Sequence, residues 1–250
     1  MGIWAAVKNK ITPEYLNNHL LRIVESQEQI ATNSLVDNLE KQAVLEEMLD
    51  SSKPPVPSAN VPLHYLLATP FRYPPLPYGS RFGAKHEPSL FYGSLTEETA
   101  FAETGYYRFL FWSGLRIPPT SNKLVTQHTI FSVQYTTSCG LKLQDFPFSD
   151  YQDQLVDPAS YKHTQSLGHA MREHGINAFE YLSARDCNHG VNAALFNASA
   201  LAVTTPKNQR QWICETTHDT VSFYSMADKT GYRYPLDSYL VAGTFPDPAV

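Results

Sequence analysis

Basic stripes, long apolar runs and paired cysteines are all missing from this sequence. Its 19 Lys and Arg residues are outnumbered by 24 Asp and Glu, for a net charge of −5, and they gather into no stripe. A surface that grips nucleic acid must neutralise phosphates, so direct nucleic-acid binding is not expected. No apolar run approaches the roughly eighteen residues of a membrane span. The N-terminal MGIWAAVKNK has no apolar stretch of the signal-peptide kind, and Ala6 breaks the myristoylation pattern. The three cysteines, Cys139, Cys187 and Cys214, are odd in number and lack Cys-x-x-Cys spacing, which points to reduced thiols and a cytoplasmic protein.

Several chemical motifs are absent too. There is no P-loop, no Gly-x-Gly-x-x-Gly and no His-Glu-x-x-His. Cys187-x-His189 has no second ligand pair that would make a zinc site. His169 and His174, five apart, fall on different helical faces, so no metal is expected. The setting of Ser183, Tyr-Leu-Ser-Ala-Arg, is not the Gly-x-Ser-x-Gly elbow, which argues against an acylated serine.

What is present is a globular chain: 250 residues with 42% hydrophobic and 12% aromatic content, well above the values of disordered segments. That length suits one domain with an appendage, or two small ones. Thr12-Pro13-Glu14 reads as a helix start, followed by Leu16, Leu20, Ile23 and Ile30 at helical spacing. Ser34 to Asp37 reads as a second start, with Leu35, Leu39, Val44, Leu45, Met48 and Leu49 as its buried face. The two predict an N-terminal helical hairpin over residues 1–50. Residues 51–62 carry four prolines and read as an extended linker, leaving a main domain over 63–250. In that domain Gln127–Thr137 alternates as a strand that Leu141 and Leu143 continue. Asp145–Pro158 reads as a loop and Tyr161–His174 as a helix closed by Gly175. Asn177–Leu182, Asn192–Phe196, Ala200–Thr204, Gln211–Cys214 and Val221–Tyr224 read as strands. The order predicts an α+β fold with a mixed or largely antiparallel sheet.

The stretch from Thr69 to Glu103 organises the rest. It offers an arginine-bearing turn at Arg81, a short strand Leu90-Phe91-Tyr92 stopped by Gly93, and a helix opened by the Ser94-x-x-Glu97 capping pattern. A helix packed back on that strand would bring Arg81, Tyr92 and Glu103 to one pocket. By spacing alone, the arginine reads more readily as a surface salt-bridge partner and the glutamate as a solvated helix residue.

Tyr78-x-x-Arg81, Leu-Phe-Tyr92-Gly and Glu-Thr-Ala-Phe-Ala-Glu103, followed far later by Tyr181-Leu-Ser183-Ala-Arg185 and Gly190-x-Asn192-Ala-Ala-Leu-Phe196, together resemble the RES domain. The resemblance runs from about Leu63 to Phe196. It implies an ADP-ribosyltransferase-like fold, NAD+ as the substrate, a toxin role beside an Xre-type DNA-binding antitoxin, and a pocket built from Arg81, Tyr92, Glu103 and Ser183. Tyr78 is a further pocket residue, and Arg72 is a second candidate arginine whose expected job is structural support of the pocket. One departure stands out: many members have Gly-Gly-Arg-Trp-Asn where this chain has Gly79-Ser80-Arg81-Phe82-Gly83.

These residue types suit cleavage of the nicotinamide–ribose bond. A guanidinium fork binds two pyrophosphate oxygens at once, and a tyrosine ring can stack on nicotinamide. The ribosyl cation left behind resembles the oxocarbenium of glycoside hydrolysis, which a carboxylate stabilises. One carboxylate ~4 Å from that charge, at an effective dielectric of ~20, supplies on the order of 4 kcal/mol, roughly a thousandfold in rate. A hydroxyl at Ser183 would anchor ribose or the nicotinamide amide.

Overall fold

A single long strand organises the sheet. β3 (Leu124–Lys142) runs for 19 residues and carries a neighbour along each edge. One edge pairs antiparallel with β1 (Glu14–Glu25), from Glu14↔Gly140 to Glu25↔His128. The other edge is shared. Its first half pairs antiparallel with β6 (Lys207–Thr216), and its last residues pair parallel with β4 (Ala178–Leu182). β4 continues to β5 (Val191–Leu195) and β2 (Phe91–Ser94), while β6 continues to β7 (Thr220–Ser225) and β8 (Thr230–Pro235). The result is an eight-stranded mixed sheet in which β3–β4 is the parallel pairing. The coordinates are a computed structural model that describes residues 2–26, 38–52, 54, 62–117 and 119–247.

The β1–β3–β4–β5–β2 series closes on itself through one further pairing, Leu21 of β1 with Ser94 of β2. Closure needs a glycine. A Cβ on Gly93 would stand 2.5 Å from Leu20 Cδ1 and 2.7 Å from the Leu21 carbonyl oxygen, so a side chain there would push β1 off β2. Inside this circuit Leu16, Leu20, Phe91, Phe131, Val133, Tyr135, Ala193 and Leu195 form one buried cluster.

The helices are α1 (Ile3–Val7), α2 (Leu39–Ser52), α3 (Tyr65–Arg72), α4 (Glu97–Ser113), α5 (Gln152–Leu155) and α6 (Lys162–Glu173). α4 buries Ala100, Phe101, Ala102, Gly105, Tyr106 and Phe109, packing Phe101 between Trp212, Phe223 and Tyr232 of the β6–β8 extension, with ring centroids 4.5–4.8 Å apart. α6 turns its buried Leu167 and Met171 towards Phe82, Phe179 and Tyr181 and ends at Gly175, whose φ is +74°. No helix among the described residues is long and apolar enough to cross a membrane.

Several expectations need correction. The first helix of the hairpin is the strand β1, so residues 14–25 are part of the main sheet and the hairpin does not form. Leu16 and Leu20, four apart, fit a helical stripe and one face of a strand equally well; pairing with β3 decides between them. The second helix exists as α2, but Val44, Met48 and Leu49 of its expected buried face are exposed; Leu35 and most of the linker lie outside the described residues. The α4 cap is Thr96, whose hydroxyl accepts from the Thr99 amide, not Ser94, which is still in β2. The expected strand Ala200–Thr204 is a 3-10 turn at Ala198–Ala200 and one bridge from Leu201 to Tyr135. β8 and α3 had no counterpart in the sequence reading, and the expected loop Asp145–Pro158 holds a 3-10 turn and α5.

Candidate active site

Glu103 lies two turns into α4, half-buried, facing the end of β4 and the start of β5. Its Oε1 accepts from the Ser183 hydroxyl at 2.6 Å and from Asn192 Nδ2 at 2.7 Å. Its Oε2 accepts nothing among the described residues. Both donors are themselves fixed. Asn192 is buried opposite Ser94 in the β2–β5 pairing, and its Oδ1 accepts from the Ser94 hydroxyl at 2.6 Å. Ser183 Oγ accepts from the Arg185 and Asp186 amides, both at 3.0 Å, so its one proton and both lone pairs are committed. Asp186 Oδ2 then accepts from Thr99 of α4 at 2.8 Å, tying the loop after β4 to the helix that bears Glu103.

This corrects the reading of Ser183. It is fully buried behind the carboxylate and is not on the cavity wall, and its hydroxyl has no capacity left for a ligand. What it touches is Glu103.

Arg81 comes from the irregular segment between α3 and β2, which α6 holds in place. Gln165 Nε2 donates to the carbonyls of Tyr78 and Ser80, both at 3.0 Å. A Cβ on Gly168 would lie 1.9 Å from the Phe82 carbonyl oxygen, so the helix can approach this closely only as glycine. Arg81 Nη1 donates to the carbonyls of Leu155 at 3.3 Å and Asp157 at 3.0 Å, and its guanidinium lies 4.8 Å from the Tyr161 ring centroid. Its Nη2 is buried without a partner. Tyr92 takes the Phe82 amide on its hydroxyl at 3.1 Å and shares a hydrogen bond with Ser80 at 2.9 Å; burial raises its pKa to about 12, so it is a neutral phenol.

Arg81, Tyr92, Glu103 and Tyr78 line one cavity of about 300 Å³, with Asn192, Tyr107, Tyr161 and Tyr181. Burial, and then the charge of Glu103, push the Tyr181 phenol well above its usual range. Arg72 is elsewhere: it does not line the cavity, and it ends α3 with its Nε donating to the Pro54 carbonyl. Among the described residues no group of three or more His, Cys, Asp or Glu could hold a metal ion.

The sequence reading missed Arg22. It lies on β1 and enters the same cavity, its Nη1 donating to the Tyr92 carbonyl at 2.6 Å and its guanidinium 5.0 Å from the Phe91 ring centroid. Its Nε is buried without a partner, and burial draws its pKa down to about 10, still charged at neutral pH. Neither Arg22 nor Arg81 makes an ion pair among the described residues. The signal for it, Leu-Leu-Arg-Ile-Val with adjacent β-branched residues, was overridden by the helical spacing around it. The cavity therefore sets two guanidinium groups and several phenols against one carboxylate. That combination suits a ligand with an anionic portion and a centre that becomes cationic.

No curated protein matches the chain. The family model for the RES domain matches residues 57–217, a span that contains Arg81, Tyr92, Glu103, Ser183 and Asn192 and leaves β1, with Arg22, outside. Because the match takes in well over half of the 250 residues, the chain belongs to the RES domain family and has its ADP-ribosyltransferase-like α+β fold.

Proposed function

We propose that this protein is a toxin enzyme that binds NAD+ and breaks the bond between nicotinamide and ribose, passing ADP-ribose to water or phosphate. The family is one of NAD-related enzymes of toxin–antitoxin systems. The observation that carries the finer reading is the state of Glu103: one carboxylate oxygen is held by two neutral donors, and no donor among the described residues occupies the other. No arginine or lysine among the described residues pairs with it, so its charge is left for the substrate.

In this reading the pyrophosphate lies against the Arg81 and Arg22 guanidinium groups, whose buried Nη2 and Nε have no hydrogen-bond partner among the described residues. A buried charged donor left unpaired costs upwards of ~1–3 kcal/mol, which an anionic oxygen relieves. The ring of Tyr92 supports nicotinamide. The C1′–N bond then breaks with both electrons going to the pyridine nitrogen, so nicotinamide leaves neutral and the cation stays on the ribose beside Glu103. Water or phosphate adds to C1′, and water loses its proton to solvent. Ser183 and Asn192 keep Glu103 from rotating as charge develops.

A protein acceptor is the alternative reading, favoured by the exposed Leu76 and Tyr107 among the residues lining the cavity. The partner in either case is an Xre-type DNA-binding antitoxin, and the place of action is the cytoplasm. Incubating the purified protein with labelled NAD+ and cell extract separates these outcomes. Free ADP-ribose or its phosphate supports the proposal, labelled protein supports the alternative, and intact NAD+ means a catalytically silent interaction module.

A further inference from the structure

A second groove adjoins the cavity and is not used by the scheme above. It encloses about 640 Å³ and shares Tyr78 and Tyr161 with the Glu103 cavity. Its other walls carry Lys85, His86, Lys162 and His169, and none of its lining residues is acidic. In a chain with more acids than bases, 24 against 19, a groove lined by two lysines and no acidic residue is a local reversal of charge. Neither lysine makes an ion pair among the described residues.

The presenting loop is built to hold its shape. Glu87 lies beneath it, 7% exposed, with Oε2 accepting the Ala84 amide at 2.9 Å and Oε1 paired with His169 Nδ1 at 2.7 Å. The Glu87 amide donates back to the Ala84 carbonyl at 3.0 Å. Lys85 and His86 therefore stand at the crest of a turn clamped to α6, which carries Lys162 and His169. The Glu87 contact, and then Glu173, raise the pKa of His169, and because the same carboxylates offset its charge, the free positive charge of the groove rests on Lys85 and Lys162.

Size points the same way. The Glu103 cavity, about 300 Å³, is at the lower end of the ~300–1,000 Å³ range of ligand sites, whereas a dinucleotide has two nucleoside units. One unit fits beside Glu103, and the shared Tyr78 and Tyr161 place the second groove next to it for the other.

From this geometry we infer that the Lys85–Lys162 groove is a phosphate monoester site that receives the adenosine half of the dinucleotide and recognises a phosphate on its ribose, so that NADP+ is bound in preference to NAD+. The inference rests on the reading of the Glu103 cavity as the nicotinamide site. The same phosphate chemistry could be met by free inorganic phosphate, the acceptor.

Calorimetry on the full chain distinguishes the two sources, using NAD+, NADP+, nicotinamide mononucleotide and inorganic phosphate with the wild type and the double variant Lys85→Gln/Lys162→Gln. Both lysines are exposed, so the variant keeps its fold. NADP+ is expected to bind about tenfold more tightly than NAD+, as one charged hydrogen bond gives. The variant should lose that factor while its affinity for nicotinamide mononucleotide stays the same. Loss of inorganic phosphate binding in the variant, with NAD+ and NADP+ bound alike by the wild type, would keep the phosphate site and assign it to the free ion. Equal NAD+ and NADP+ affinities, with phosphate binding indifferent to the lysines, would overturn the inference. Nicotinamide mononucleotide is the separate control: failure of the wild type to bind it contradicts the reading of the Glu103 cavity, whatever the lysines do.

Discussion

The two walls of the Glu103 cavity are finished to different degrees. On the carboxylate wall, Ser94, Asn192, Ser183, Thr99 and Asp186 are joined by hydrogen bonds of 2.6–3.0 Å, and every donor and acceptor of the Ser183 hydroxyl is used. On the arginine wall, Arg81 Nη2 and Arg22 Nε are buried with no hydrogen-bond partner among the described residues. The first wall is complete by itself, and in the proposed reading the second is completed by the anionic part of the substrate. Catalysis by differential stabilisation asks for this division: a rigid group where charge develops, and binding groups satisfied by the unreacting part of the substrate.

Breaking the carboxylate wall should have the largest effect. Glu103→Gln is nearly isosteric and can keep the Ser183 contact, so NAD+ affinity should hold while turnover falls roughly a thousandfold, the worth of one carboxylate near the ribosyl cation. Stopped-time assays of nicotinamide release, beside calorimetry for binding, check both halves. A parallel loss of affinity and turnover would mean that Glu103 binds substrate without favouring the transition state.

Breaking the arginine wall should invert that pattern. Arg81→Lys and Arg22→Lys each keep a charge and lose the fork, and each should weaken NAD+ binding by ~1.5–3 kcal/mol with a smaller change in the rate of the bound complex. Unchanged affinity in Arg22→Lys would remove β1 from the site.

A finer perturbation sharpens the contrast. Asn192→Asp replaces the donor 2.7 Å from Glu103 Oε1 with a second carboxylate. Two like charges so close cannot both ionise readily, so the pair takes up a proton at higher pH than Glu103 alone. The acid limb of the rate profile should therefore move up in pH, with KM unmoved. Asn192 acts through Glu103, and a profile with the same limb but raised KM would make it a substrate contact instead.

The smallest effect at neutral pH concerns the far end of α4. Burial, and then the Arg108 charge, hold the His128 imidazole down at about 4. The unfolded chain takes up this proton near 6.5 and the folded one resists until about 4, so stability is lost as pH falls through that window, by up to ~3 kcal/mol. His128→Gln should flatten the decline in acid unfolding experiments and leave turnover alone. An unaltered decline would place the acid sensitivity in other groups.

The strand and helix that carry Glu103 were legible in the sequence because their markers are local. Gly93 after an apolar run, a capping pattern ahead of Glu97 and Glu103 two turns later indicate strand, turn and helix within one short stretch, although the cap is Thr96 and not the expected Ser94. Ser183 was placed correctly at a strand end, but which way its hydroxyl turns depends on Glu103, eighty residues earlier. Arg22 was hidden for a stronger reason. Its strand is defined by pairing with residues 128–140, and the adjacent β-branched Ile23 and Val24 are too short a local signal to outweigh the helical spacing around them. Long-range pairing overrides local periodicity, and here it supplied half of the arginine wall from outside the segment that the family match covers.

The central claim is that this cavity destroys NAD+ through Glu103, and the cellular NAD+ pool tests it most directly. Wild type and Glu103→Gln are expressed in a bacterial host without antitoxin, with equal amounts of soluble protein and equal melting temperatures verified. The account predicts that the wild type stops growth and empties the NAD+ pool, whereas Glu103→Gln does neither. A pool left intact by the wild type, or emptied by the folded Glu103→Gln protein, would contradict it.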